Sequence, residues 1–117
     1  MQLFYIENDD FLVSLFEVLF KRSEYSIFTT DETKSIHLIE DQKPELVMIS
    51  LNFDFDEIKH VINQIKGIPN VNIPVIAIGD ENQVACMKTQ LLCDDFITKP
   101  IAPLEALAQL KKYFKRP

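Results

Sequence analysis

The stretch that decides the fold is Lys43-Pro44-Glu45-Leu46-Val47-Met48-Ile49, which runs into a polar turn from Ser50 to Asp56. Leu46 to Ile49 is a short continuous apolar run, the pattern of a strand buried on both faces. Upstream, Leu3-Phe4-Tyr5-Ile6 repeats that pattern and is followed by Glu7-Asn8-Asp9-Asp10, residues suited to capping a helix. Phe11, Leu12, Leu15, Phe16 and Leu19 then recur at helical spacing up to the basic pair Lys21-Arg22, a favourable charge for a helix C-terminus. Tyr25 to Phe28 reads as a second strand. Asp31 is placed to cap a second helix with Ile36 and Ile39 inward, ending before Pro44.

Downstream of the polar turn the alternation continues. Ile58, Ile62 and Ile65 mark a third helix that stops at Gly67, and Pro74 to Ile78 is a fourth strand closed by Gly79-Asp80. Val84, Met87 and Leu91 mark a fourth helix. Phe96-Ile97 is a short fifth strand ahead of Thr98-Lys99-Pro100, and Pro103 opens a last helix along Leu104, Leu107, Leu110 and Phe114. Five strand–helix alternations call for an α/β fold, a doubly wound parallel sheet with helices on both faces and right-handed crossovers. Sites in such a sheet lie beyond the carboxyl ends of the strands. The positions to interrogate are therefore Glu7-Asn8, Ser50 to Asn52, Gly79-Asp80 and Thr98-Lys99.

The 117 residues fit one domain, expected to span 1–117. Twelve Lys and Arg against eighteen Asp and Glu leave a net charge of −6. That balance speaks against nucleic acid and against an anionic membrane surface as partners, since both need clustered positive charge. Cys86 and Cys93 form no Cys-x-x-Cys pair and have no histidine nearby, so neither a zinc site nor a secreted disulfide framework is indicated. No apolar run reaches transmembrane length and no signal-peptide pattern opens the chain, so a cytoplasmic location is expected.

In order and spacing, four segments resemble the receiver domain of bacterial two-component response regulators. They are Ile6-Glu7-Asn8-Asp9, Lys43 to Ile49, Ile73-Pro74-Val75-Ile76, and Asp94-Asp95-Phe96-Ile97-Thr98-Lys99-Pro100. The resemblance covers essentially the whole chain and implies a flavodoxin-like sheet in the order 2-1-3-4-5. It also implies five functional positions. An active receiver has an acidic pair after strand one, a phosphoaccepting Asp ending strand three, and a Ser or Thr ending strand four. A Lys ends strand five, with an aromatic residue three positions before it. Mg²⁺ sits among the carboxylates, and the Asp takes phosphate from a histidine kinase.

This chain departs from that pattern where the chemistry lies. The acidic pair is Glu7 and Asn8, the phosphoacceptor position is Ser50, and the Ser/Thr position is Gly79; Phe96 and Lys99 remain. Acyl-phosphate formation needs an ionised carboxylate, whereas a serine hydroxyl is protonated at neutral pH and needs a base. Mg²⁺ prefers several oxygen ligands, usually with carboxylate help, and here three candidate carboxylates fall to one. Two unit charges 4 Å apart interact by up to about 4 kcal/mol at an effective dielectric of 20, so two lost carboxylates weaken a divalent site severely. Gly79 has no hydroxyl to follow a phosphate. The expectation is a degenerate pocket with no bound metal or cofactor, in which Lys99 pairs with Glu7 while Ser50 and Asn8 complete a neutral network.

Rival readings of single residues are weaker. His37 and His60 lie within predicted helices, away from Ser50, and no Gly-x-Ser-x-Gly turn surrounds that serine, so an enzyme is not expected. Asp54 and Asp56 suit helix capping better than cation binding. Flavin binding would want a Ser/Thr/Gly-rich loop where Glu7 to Asp10 is acidic. Lys99-Pro100 resembles the family's cis peptide. The family's docking face, built from helix four, strand five and helix five, would offer Lys88, Asp94, Asp95, Glu105, Lys111, Lys112 and Tyr113. The basic tail Lys111 to Arg116 suits a helix C-terminus. The expected function is a phosphorylation-independent receiver that binds protein partners, a self-dimer through this face included. The alternative is a receiver with a residual Mg²⁺ or phosphate response, regulated by a histidine kinase.

Overall fold

In a computed structural model, which describes residues 2–21 and 25–114, strands and helices alternate along the chain. They are β1 (Gln2–Ile6), α1 (Asp10–Phe20), β2 (Ser26–Thr30), α2 (Ile36–Gln42) and β3 (Leu46–Ser50), then α3 (Phe55–Lys66), β4 (Val75–Gly79), α4 (Glu81–Met87), β5 (Asp95–Thr98) and α5 (Pro103–Lys111). The strands form one sheet in the order β2-β1-β3-β4-β5. All pairs are parallel, with Phe4 beside Phe28 and Val47, Val47 beside Val75, and Ala77 beside Phe96. This is the doubly wound α/β architecture that the alternation requires.

Every residue of β3 and β4 is buried, because helices cover both faces of the sheet. Side chains alternate between two cores. Phe4, Ile6, Val47, Ile49, Val75 and Ala77 pack with Ile39 and the α3 residues Ile58, Val61, Ile62 and Ile65. Leu3, Tyr5, Leu46, Met48, Ile76 and Ile78 pack instead with Phe16 and Phe20 of α1 and Ala106 and Leu110 of α5. The edge strand β2 is only half-buried along most of its length. Among the described residues no helix is long and apolar enough to cross a membrane.

Two of the helices that start at the carboxyl edge, α1 and α4, have side-chain caps. The Asp9 carboxylate accepts from the Phe11 and Leu12 amides at 2.9 and 3.4 Å. Asp80 and Gln83 form a reciprocal capping box at α4: the Gln83 amide donates to the Asp80 side chain at 2.7 Å, and the Asp80 amide donates to Gln83 Oε1 at 2.9 Å. Asp80→Ala is expected to cost about 1 kcal/mol in urea denaturation and to speed amide exchange in the first turn of α4. An unchanged midpoint and unchanged exchange would mean that packing alone holds that helix end.

Several expectations from periodicity need correction. Phe11 is 75% exposed and Leu104 is 78% exposed, while Phe20 and Ala106 take inward positions. A helix buries one stripe, here Leu12, Phe16 and Phe20 in α1 and Ala106 and Leu110 in α5, and Phe11 and Leu104 project to the other side. The second helix does not start from an Asp31 cap; a 3₁₀ turn over Thr33–Ser35 leads into α2. Asp54 occupies the N-cap position of α3, yet its side chain makes no cap bond. Helix α4 ends at Met87, so Leu91 is buried from the segment that follows. Arg22 and the tail Lys115-Arg116 lie outside the described residues, as do the side chains of Ser35 and Ile36.

Candidate functional site

Parallel pairing brings the ends of four strands to one edge. Glu7 follows β1, Ser50 ends β3, Gly79 ends β4 and Lys99 follows β5. Glu7 is 1% exposed and Ser50 fully buried. The Tyr5 hydroxyl donates to Glu7 Oε1 at 2.6 Å, and the Asn8 and Asp9 amides donate to Oε2 at 3.1 and 3.3 Å. Burial pushes the Tyr5 phenol well above its ordinary value, and the bonded Glu7 carboxylate adds to the shift. Both oxygens of this carboxylate are thus engaged by residues of its own strand and loop.

The expected pairing of Lys99 with Glu7 is not formed. Among the described residues the ion pair is Lys66–Asp94, and Glu7 is satisfied without a cation. The physical reason is distance across the sheet. β1 and β5 are separated by β3 and β4, three strand spacings or about 14 Å, whereas Tyr5 lies two residues back on the same strand face. Lys99 is half-buried, its amide donates to the Gly79 carbonyl at 2.8 Å, and the Lys99–Pro100 peptide is cis as the resemblance implies.

The neutral network forms with different partners from those expected. Asn8 reaches Asn52, not Ser50: its Nδ2 donates to the Asn52 carbonyl at 3.1 Å, and Asn52 Nδ2 donates back to Asn8 Oδ1 at 3.2 Å. This clasp ties the loop after β1 to the loop after β3. Ser50 Oγ accepts from the Asn52 amide at 3.0 Å, closing a local turn. Gly79 is buried, and a Cβ placed on it would lie 2.8 Å from Leu51 Cδ1 and 2.9 Å from Gln83 Oε1. The space beyond β4 therefore belongs to Leu51 and to Gln83, whose Nε2 also donates to the Leu51 carbonyl at 3.3 Å. Phe96 is half-buried against the α2–α4 side of the core.

Among the described residues no three or more His, Cys, Asp or Glu side chains gather as a metal cage. Mg²⁺ would have to be held by Glu7, whose oxygens already accept three hydrogen bonds, and by the amides of Asn8 and Asn52, which hold each other. That donor set does not fit a hard octahedral cation. A groove of about 640 Å³ lies at the opposite, amino edge of the sheet, lined by Ile39, Pro44, Glu45, Ile68, Val71 and Ile73, remote from Glu7 and Ser50. His37 and His60 are exposed on α2 and α3. Cys86 is exposed; Cys93 is half-buried, and burial pushes its thiol up to about 12.

The expected docking residues fall into two groups. Lys88, Glu105, Lys111 and Lys112 are exposed. Asp94 is tied down: it meets Lys66 at 2.5 Å and accepts from the Val75 amide at 2.7 Å, joining the ends of α3, β4 and β5. Asp95 accepts from the Tyr113 hydroxyl at 3.0 Å, which fastens the end of α5 to β5. Desolvation raises the Tyr113 phenol above its ordinary value, and the hydrogen bond to Asp95 adds to the shift. Sequence reasoning missed Tyr5 and Gln83 as parts of the site, and marked Leu51 only as one of the strand-end positions Ser50 to Asn52. Tyr5 was legible, as the one residue with a polar tip in an apolar strand, two positions before a carboxylate.

An open parallel sheet in the order 2-1-3-4-5 with its site at the carboxyl edge is the flavodoxin-like receiver fold. No protein-family model matches the chain. It is 25% identical over 117 residues to PhoP, the alkaline phosphatase synthesis transcriptional regulatory protein of Bacillus subtilis (strain 168), covering 95% of this chain and 47% of that protein. A second transcriptional regulatory protein of that organism, YvcP, is 26% identical over 112 residues, with the same coverage. The chain thus spans about half the length of these curated relatives. Among solved structures it resembles the receiver domain of a Pseudomonas aeruginosa sensor histidine kinase, which has a magnesium ion coordinated in its active-site cleft. The TM-score is 0.82 at 14% identity, over 96% of this chain and 95% of that one. The N-terminal domain of the nisin resistance regulator NsrR matches with a TM-score of 0.80 at 20% identity, over 97% of both chains. The structural neighbours show that the chain has the fold of response-regulator receiver domains.

Proposed function

We propose that this receiver works without phosphorylation, as a protein-interaction module held in one state. The observation that carries the reading is the end of β3. Ser50 stands at the phosphoacceptor position, fully buried, with its oxygen engaged by the Asn52 amide. Neither histidine adjoins it as a base, both being exposed on α2 and α3, and its burial leaves no open face to a phosphoryl donor. Glu7 supplies the only carboxylate among the pocket positions Glu7, Asn8, Ser50, Gly79, Phe96 and Lys99, and Tyr5 occupies it. Gly79 leaves no hydroxyl to move inward. The pocket is a closed hydrogen-bonded plug, and its state does not depend on an incoming ligand. Partner proteins dock, on this reading, at the face of α4, β5 and α5, where Lys88, Glu105, Lys111 and Lys112 are exposed and Leu92 adds an apolar surface 64% open to solvent.

The test is a backbone amide NMR titration with millimolar Mg²⁺, followed by beryllofluoride and then acetyl phosphate. Unmoved resonances at Glu7, Asn8, Ser50 and Lys99, with a melting temperature that hardly changes, are the expected result. Saturable shifts at those residues would overturn the reading and restore a ligand-sensing receiver.

A further inference from the structure

Helix α1 carries two apolar residues that the core does not use. Phe11 is 75% exposed and Val18 is 69% exposed. The buried stripe of the helix is Leu12, Phe16 and Phe20. At 100° per residue, Phe11 and Val18 project to the opposite side of the helix, together with Ser14 and Lys21. The spacing Phe11, Ser14, Val18, Lys21 is three, four, three, the seam of a pair of packed helices. The outer surface also has a shallow dent bounded by Ser14, Glu17, Val18 and Lys21. Residues at i, i+3, i+4 and i+7 are the four that frame a hole for a knob from a facing helix.

We propose that α1 pairs antiparallel with α1 of a second copy of this chain, Phe11 of each copy filling the dent of the other. The occupant follows from self-complementarity. A two-fold axis between Ser14 and Leu15 sets residue i opposite 29 − i, so Phe11 faces Val18 of its mate, on the wall of the dent. Small Ser14 lets the helices approach at the axis. The same operation brings Lys21, at the C-terminal end, within about 3 Å along the axis of Asp10 at the partner helix's first turn. A cation there meets both a carboxylate and a helix N-terminus already acidic through Asp9 and Asp10, so the pairing rests on Lys21 and Asp10. One patch thus meets itself with apolar residues matched and charges opposed, as an isologous contact demands. Two helices of 11 residues bury less than the standard interface of about 1,200 Å², which places the dimer in the weak, concentration-dependent class. It leaves the α4–β5–α5 face open, and it does not depend on whether the pocket responds to phosphate.

Sedimentation velocity from micromolar to millimolar protein tests it. The expected result is a monomer–dimer equilibrium in which Phe11→Glu and Val18→Glu each raise the dissociation constant about tenfold or more. Both sites are exposed, so the variants keep the wild-type amide spectrum. Lys21→Asp and Asp10→Lys each weaken the dimer, and the two combined restore it, which no other dimer face would produce. A monomer throughout, a dimer indifferent to Phe11→Glu, or a charge swap that fails to rescue would each overturn the proposal.

Discussion

Glu7→Ala is expected to destabilise the protein by about 2–4 kcal/mol, measured as a fall in the urea midpoint at unchanged slope. The carboxylate is 1% exposed, and three donors converge on it. Its removal leaves the Tyr5 hydroxyl buried with no acceptor, and an orphaned buried polar group costs about 1–3 kcal/mol. The Asn8 and Asp9 amides lie on the loop and regain water, so they add less. Glu7→Gln keeps the volume and an acceptor for Tyr5 but turns an NH₂ group toward the two amide donors, and an intermediate loss is expected. Tyr5→Phe should cost about 1.5–3 kcal/mol, as for a hydrogen bond to a charged group. In that background Glu7→Ala should cost much less than in the wild type, because the orphan no longer exists. Simple additivity of the two would show that they do not act as a unit.

The same pair sets an alkaline limit. The Tyr5 phenol is raised above its ordinary value in the folded state, so folding favours its neutral form. The stability this contributes is complete below the unfolded tyrosine value near 10 and is lost as pH rises beyond it. Tyr5→Phe should flatten that alkaline decline.

Gly79→Thr is the second large effect, and its direction is opposite to what restoring the family residue suggests. Cβ alone would stand 2.8 Å from Leu51 Cδ1 and 3.0 Å from Leu51 Cβ. Leu51 is 1% exposed within the core, so it has no free rotamer to retreat into, and Gln83 is held by the Asp80 amide. Overpacking of this kind costs about 1–3 kcal/mol, and the branched threonine should reach the upper end, with Gly79→Ala nearer the lower. Leu51→Ala opens the space, so the threonine should cost less in that background than alone. If Gly79→Thr is neutral, Leu51 and Gln83 do not close the end of β4 as described.

The sheet was legible in the sequence because its central strands are buried on both faces. Leu3 to Ile6, Leu46 to Ile49 and Val75 to Ile78 have no polar side and read as strands without further context. Helix faces were legible only in part: Phe11 keeps helical spacing with Leu15 and Leu104 with Leu107, yet both lie on the solvent side, away from the buried stripe. Site positions were legible because a parallel sheet delivers its strand ends to one edge. The hydrogen bonds inside the site were not. Lys99 and Glu7 are opposite charges in a list of residues, but the order 2-1-3-4-5 places two strands between them. Whether Gly79 is merely a missing hydroxyl or a filled space depends on Leu51 and Gln83, which approach it only in the folded chain. Periodicity and residue type determine which side chains turn inward and where the strands end. Which donor reaches which acceptor is decided by distances across the sheet, and those exist only in three dimensions.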